Sequence, residues 1–337
     1  MTGTLVRAKS TFSLSTPTSM QAAVVTGPGK IVLQDVPIPE PKPGEIRVRM
    51  IGCGVCASNL GPWAGPEWMT FPTAPGGLGH EGWGIVDALG PDVDGLDVGQ
   101  TVTTLFQNSY AAFDVGKAEC AVPLPEELSH MPLPGEPLGC AMNIFRRADI
   151  RAGHTVAIVG IGFLGALLTQ LARNAGADVI AISRRGFALE TARRMGAAKT
   201  FSMKDSASIV EKVGALTGGR FCDRVVEATG KAAPLDLAGE LTAEGGRLII
   251  AGYHQDGPRQ INMQLWNWRG IDVINAHERR ENVYIGGMRE AIEAVLSGRL
   301  DPMPLIPDTF PLSRLDDALN ATRDRPDGFL KAVVRMP

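Results

Sequence analysis

Three glycines in the middle of the chain, Gly160, Gly162 and Gly165, constrain its fold more than any other feature. They lie in His154-Thr-Val-Ala-Ile-Val-Gly-Ile-Gly-Phe-Leu-Gly165, where an apolar strand over residues 156–159 runs into a GxGxxG turn. In such a turn the first glycine permits a sharp bend, the second lets backbone approach a pyrophosphate, and the third allows close helix packing. A helix expected over residues 163–175 then points its unpaired N–H groups and positive dipole end at the phosphates. Alone, the motif is also an ordinary glycine-rich turn; the strand before it, the helix after it and a second strand expected at 178–182 supply the dinucleotide-binding context. Gly160, Gly162, Phe163, Leu164 and Gly165 are the expected cofactor contacts. The first 140 or so residues must serve another purpose.

The residue ending the second strand bears on coenzyme choice. An acid there would bond the ribose 2′-hydroxyl and repel a 2′-phosphate. This chain has Ser183, Arg184 and Arg185, a hydroxyl beside guanidinium groups that pair with phosphate oxygens in a forked geometry. NADP(H) is therefore expected over NAD(H).

With 337 residues, 44% hydrophobic and 20% charged, the chain can bury two cores, and two domains are expected. A formal net charge of −3 makes no electrostatic case for nucleic acid or an anionic membrane as partner, and no apolar run approaches the roughly 20 residues that span a bilayer. Five scattered cysteines argue against a disulfide framework and for a reducing, cytoplasmic location. Residues 1–19 carry Arg7, Lys9 and many Ser and Thr but no acid; lacking an apolar core they are no secretory signal, and a disordered extension or an early start ahead of Met20 is expected.

Residues 20–138 are rich in Gly and Pro, with short β-branched runs at 46–51 and 84–89, and read as mainly β. From about 150 to 274, strands at 156–159, 179–182, 224–228, 247–251 and 273–274 alternate with amphipathic stretches such as 186–195, which argues for a parallel, doubly wound α/β sheet. The tail shows a helical pattern over 287–297, a Pro-rich stretch to 311, a helix near 312–323 and a last strand, 330–334, expected to return to the first domain.

Three islands upstream of the glycine turn hold ligand-type residues: Gly54-Val-Cys-Ala-Ser-Asn59, Gly79-His-Glu-Gly-Trp-Gly84 and Gly135-Glu-Pro-Leu-Gly-Cys140. Cys56, His80 and a carboxylate would give Zn²⁺ a thiolate, an imidazole and an oxygen while leaving a position open, as catalytic sites do. Their separations are too irregular for a local metal knuckle, so spacing alone does not bring them together. A free Cys is among the most buried residue types, and a lone His or Glu commonly serves the surface or a cap.

The islands, in this order ahead of a mid-chain GxGxxG, resemble the zinc-dependent medium-chain dehydrogenase/reductase family, which includes alcohol and sorbitol dehydrogenases. Gly-Val-Cys56-Ala-Ser is similar to the family's Gly-Ile-Cys-Gly-Ser/Thr motif, His80-Glu81 to its Gly-His-Glu motif, and Glu136-Pro-Leu to the Glu-Pro-Leu of the polyol branch. The resemblance covers residues 20–337 and implies a GroES-like catalytic domain (20–142 and 275–337) and a Rossmann NADP-binding domain (143–274). It implies hydride transfer between NADP(H) and an alcohol or polyol, or the corresponding ketone or aldehyde. Cys56 and His80 would hold one zinc per chain with Glu136 as direct ligand and Glu81 exchanging or nearby; Ser58 would relay the alcohol's proton. Thr229, Gly252 and Tyr253, at carboxyl ends of strands, and Lys331, at a position that reaches the pyrophosphate, complete the cofactor contacts. A homodimer or homotetramer, joined at the edge strand 273–274, is implied as well.

The chain also departs from the family. Asn59 stands where an Asp usually orients the zinc-bound imidazole, which lowers the expected zinc affinity. Only Cys120 lies between His80 and Gly139, so the four-cysteine structural-zinc lobe is absent. Cys53 and Cys140 read as small core residues, and Trp63, Trp68, Phe106, Trp266 and Trp268 as either core or pocket walls. Two other readings stand beside this one: a zinc-free NADPH-dependent quinone or enone reductase of the same superfamily, and a non-catalytic NADPH-binding protein.

Overall fold

A computed structural model describes residues 18–204, 206–306 and 308–337. The N-terminal extension expected over residues 1–19 lies outside them except for its last two residues, and Ser19 already opens the first strand.

The first half is built of strands. β1 (Ser19–Gly27) and β2 (Lys30–Pro37) form an antiparallel hairpin. β3 (Glu45–Gly54), the short helix α1 (Leu60–Ala64), β4 (Gly82–Leu89), β5 (Thr101–Thr104), β6 (Phe113–Lys117) and β7 (Ala121–Pro123) follow. Helix α2 (Gly135–Ala148) leads into an alternating half: β8 (Thr155–Val159), α3 (Phe163–Asn174), β9 (Asp178–Ser183), α4 (Gly186–Arg194), β10 (Lys199–Ser202) and α5 (Ser206–Leu216). Then come β11 (Cys222–Glu227), α6 (Ala232–Leu241), β12 (Thr242–Ile250), α7 (Met263–Arg269) and β13 (Asp272–Asn275). The tail adds α8 (Glu281–Leu296), β14 (Asp308–Pro311), α9 (Leu315–Asp324) and β15 (Ala332–Arg335).

The alternating half forms a six-stranded parallel sheet in the order β10-β9-β8-β11-β12-β13. A sheet covered on both faces needs apolar residues on both, and Val156 to Val159 are fully buried. One face packs against α2, α3, α4 and α8, the other against α5, α6 and α7. Strand order reverses between β8 and β11, the switch point that opens a crevice at the carboxyl ends.

The second sheet has the order β14-β15-β3-β4-β5-β7, with β6 paired to β3. The end of the tail, β14 and β15, therefore joins the sheet of the first half, whereas α8 packs on the parallel sheet. Antiparallel register sets Gly54 opposite Val333 and Cys53 opposite Gly82, while the backbone N–H groups of Gly54 and Val55 donate to Glu81 O and Ala332 O at 3.0 Å. This pairing carries the site: it gathers the end of β3, the start of β4 and the start of β15 at one place.

Several elements differ from the expected ones. β12 begins five residues before 247, α8 begins six before 287, and α2, α5, α6, α7 and β10 were not legible as such. α2 starts at Gly135 with Pro137 in its first turn, where a proline costs no helix hydrogen bond. Gly139 faces Met288, and Gly287 faces the Gly139 carbonyl, so both glycines let α2 and α8 approach closely.

Candidate active site

Cys56 follows β3 by two residues, His80 and Glu81 directly precede β4, and Lys331 directly precedes β15. The three strand ends bring a Cys56 sulfur, a His80 nitrogen and a Glu81 carboxylate oxygen within 4.8 Å of one another. These are one soft and two harder ligands of the kinds zinc takes. Glu81 is fully buried, and neither of its oxygens has a well-formed hydrogen bond; only the Lys331 ammonium, itself 5% exposed, lies against Oε2. A buried carboxylate left this short of donors is what a cation would satisfy, and the residues fit a zinc ion.

His80 Nδ1 donates to the Leu78 carbonyl at 3.1 Å, which leaves Nε2 as the lone-pair donor, the usual way a backbone oxygen fixes a metal-binding tautomer. Burial works against a charged ring, but the hydrogen bond and charge of Cys56, with the charges of Glu136 and Glu81, push the metal-free His80 pKa up to about 10. Asn59 does not orient this ring, as its position had suggested. Its Nδ2 donates to the Tyr110 hydroxyl at 2.9 Å, and that hydroxyl donates to Gly54 O at 3.1 Å, so the amide braces the strand end instead. Lys331 is likewise held by opposite charge: burial lowers its pKa, yet Glu81, Cys56 and Glu136 together keep it above the ordinary value.

The carboxylate in the three-residue cluster is Glu81, where Glu136 was expected. Glu136, in the first turn of α2 and 9% exposed, faces the same pocket, but its Oε1 accepts from Cys140 Sγ at 3.2 Å. Burial pushes the Glu136 carboxyl up, against the lowering pull of His80. Cys140 is thus no plain core residue; it links Glu136 to the Tyr284 hydroxyl. Cys53 is fully buried in the core as read, and all five cysteines are free. Ser58 sits half-buried on the short turn at Ala57–Asn59.

The glycine turn lies at the carboxyl end of β8. Gly160 has φ +105°, and a Cβ there would strike Thr229; one on Gly165 would strike the Gly160 carbonyl. Gly162 is different, because a Cβ would meet nothing within 4 Å. The fold needs the first and third glycines, whereas the second borders open space, where a pyrophosphate would lie over Phe163, Leu164 and the start of α3. Lys331 Nζ stands 5.3 Å from the Phe163 ring centroid, so the metal-type cluster and the turn share this residue.

Ser183 is 6% exposed and its Oγ accepts from Arg185 N at 3.4 Å. Arg184 is exposed, while Arg185 Nη1 donates to Phe329 O at 2.6 Å. Thr229 gives its backbone N–H and hydroxyl to Glu227 Oε1, and Gly252 N donates to Glu227 O. Tyr253 is exposed and stacks on His277, centroids 5.2 Å apart. Trp63, Phe106 and Trp266 are core residues; Trp68 and Trp268 are exposed, 70% and 84%.

Two residues at the site were missed from sequence. Glu227, fully buried at the end of β11, organises both neighbouring turns and pairs with His254 Nε2 at 3.0 Å; its signal was an acid closing an apolar strand. Tyr284 had none, because its helix read as starting later.

Comparison with known proteins accounts for both halves at once. A zinc-binding dehydrogenase model matches residues 164–296, and an alcohol dehydrogenase GroES-like domain model matches residues 42–143. The chain belongs to the zinc-dependent medium-chain dehydrogenase/reductase family. It is 28% identical to an alcohol dehydrogenase of Cupriavidus necator and 24% identical to the sorbitol dehydrogenase of Bacillus subtilis, each match covering 94% of this chain and 98% of the relative. An Escherichia coli alcohol dehydrogenase solved with NADH shares the fold, with a TM-score of 0.84, 20% identity, and 95% of this chain and 100% of that one covered. In this family the mixed sheet is the GroES-like unit and the parallel sheet the Rossmann-type unit. No helix among the described residues is long and apolar enough to cross a membrane.

Proposed function

We propose that this family member is a zinc-dependent oxidoreductase that moves hydride between NADP(H) and an alcohol or polyol carbon. The observation that carries the reading is the convergence of Cys56, His80 and Glu81 beside the glycine turn, with Lys331 touching both. Cys56, His80 and Glu81, with Glu136 in reserve, would hold the zinc ion, which would supply a Lewis acid for the substrate oxygen, while a bound nicotinamide would supply or accept the hydride. The chain's own residues do the rest. Leu78 O fixes the His80 tautomer, Lys331 holds the Glu81 carboxylate in place, and the Ser58 hydroxyl takes the alcohol's proton outward. Gly162 leaves room for the pyrophosphate, and Ser183 with Arg184 receives the 2′-phosphate.

The relatives' substrates, including sorbitol, and the Glu-Pro-Leu of α2 favour a polyol over a simple alcohol. Strand β13 closes one edge of the parallel sheet, and pairing of two such edges would make the homodimer. The test is an oxidation panel of alcohols and polyols with NADP and NAD. NADP-linked turnover of a secondary alcohol or polyol supports the reading; equal catalytic efficiency with both coenzymes removes the NADP preference, and reduction of quinones or enones alone removes the dehydrogenase.

A further inference from the structure

Arg184 and Arg185 are not the only cations at the end of β9. Arg325 caps the C-terminus of α9 in the left-handed conformation, φ +48°, with its N–H on Ala321 O. The chain then turns through the Phe329 N–H bond to Pro326 O and offers the Phe329 carbonyl to Arg185 Nη1 at 2.6 Å. That bond ties a segment of the mixed-sheet half to the β9–α4 turn of the parallel-sheet half. It also commits the Arg185 guanidinium, which is half-buried.

The bond to Phe329 O thereby brings the turn that carries the exposed Arg325 to the β9–α4 turn, where Arg184 is exposed as well. Burial and then the charge of Arg325 lower the Arg185 pKa; crowding by neighbouring protein atoms and then the charge of Arg184 lower that of Arg325, although Arg325 lies exposed at the surface. Among the described residues none of the three guanidinium groups is ion-paired with a carboxylate; Asp327 is the one acid whose charge reaches Arg185. Three like charges gathered with Asp327 as their one neighbouring acid and no carboxylate paired to them cost free energy unless an anion completes them. The nine-residue helix α4 starts at the same place with no side-chain cap on its first N–H groups, which adds positive potential.

We infer that Arg325 and Arg184, from opposite halves of the molecule, form the 2′-phosphate clamp, and that Arg185 acts as the clasp that brings Arg325 there. The inference rests on the NADP reading and makes it specific. It assigns coenzyme discrimination partly to the tail of the chain, 160 residues beyond Gly165 of the glycine turn and on the other sheet's side.

The test is titration of the full-length protein with NADPH, NADH and adenosine 2′,5′-bisphosphate, read by calorimetry, for the wild type, Arg184→Ala, Arg325→Ala and Arg325→Lys. The expected result is that Arg325→Ala lowers the ratio of NADH to NADPH Kd about tenfold and weakens the bisphosphate in parallel. That size is one charge-assisted hydrogen bond. Arg325→Lys recovers part of it, because a point charge replaces a fork. If Arg184→Ala shifts the ratio and Arg325→Ala leaves it and the bisphosphate Kd unchanged, the clamp is overturned while the NADP reading stands. If the wild type binds NADH as tightly as NADPH, the NADP reading itself falls, and the clamp with it.

Discussion

The two halves of this molecule build their sites in opposite ways. At the glycine turn everything is local: a strand, six residues and a helix N-terminus, with backbone geometry as the working part. At the Cys56, His80 and Glu81 cluster little is local, since the first two residues are 24 positions apart in the sequence. Here antiparallel register between β3, β4 and β15 does the assembling. A local site tolerates change elsewhere, whereas a register-built site depends on every strand that meets there.

The largest break in this comparison comes from the cluster. Cys56→Ala removes a proposed zinc ligand but little packing, because the side chain is only half-buried. Alcohol turnover is expected to fall at least about a thousandfold, the several kcal/mol a Lewis acid contributes, with the melting temperature nearly unchanged. Steady-state rates with a thermal melt check it. Lys331→Met separates the halves more severely, since it leaves Glu81 buried and without its cation. Removing one partner of a buried pair costs about 3–5 kcal/mol, so a lowered denaturation midpoint is expected even with dinucleotide in excess.

The mixed-sheet half also carries a pH dependence that the other half lacks the same reason for. Asp114 accepts from Asn108 N, Ser109 Oγ and Val115 N, and Ser109 N in turn holds Gly79 O at 2.9 Å, beneath His80. Burial pushes the Asp114 carboxyl up to about 6 from 3.8. Because the folded value lies above the unfolded one, the native state holds the proton more firmly, and its stabilisation is present below about pH 4 and lost as pH rises through about 6. Stability should fall by up to about 3 kcal/mol across that window, and urea titrations of Asp114→Asn should show that fall removed.

The glycine turn gives the smallest and cleanest contrast. Gly160→Ala forces a left-handed backbone and a contact with Thr229, costing about 1–3 kcal/mol of stability. Gly162→Ala has open space for its methyl, so it should fold as the wild type does and weaken both dinucleotides about tenfold, a loss of about 1.4 kcal/mol. Equal stability losses in the two variants would deny that Gly162 borders the cofactor.

What was legible in the sequence follows the same division. The glycine turn, the alternation of strands and helices, and the run Ser183-Arg184-Arg185 were readable because their physics lies within a few residues. Cys56, His80 and Glu136 became a site only through resemblance to a family, since register is not written in any one segment. The exchange of Glu136 for Glu81 in the cluster depends on where Cys140 and Lys331 send their hydrogens, and Tyr284 entered through a helix whose glycines masked its start. Arg325 was invisible for the same reason: only the return of the tail onto β3 brings it to β9.

The central claim is that the register-built cluster holds the catalytic metal. Zinc content per chain, measured by atomic emission on wild-type protein dialysed against metal-free buffer and assayed for alcohol oxidation in the same sample, tests it most directly. Close to one zinc per chain, absent from Cys56→Ala prepared alongside, is the expected result. Full turnover by wild-type protein that carries no zinc would contradict it.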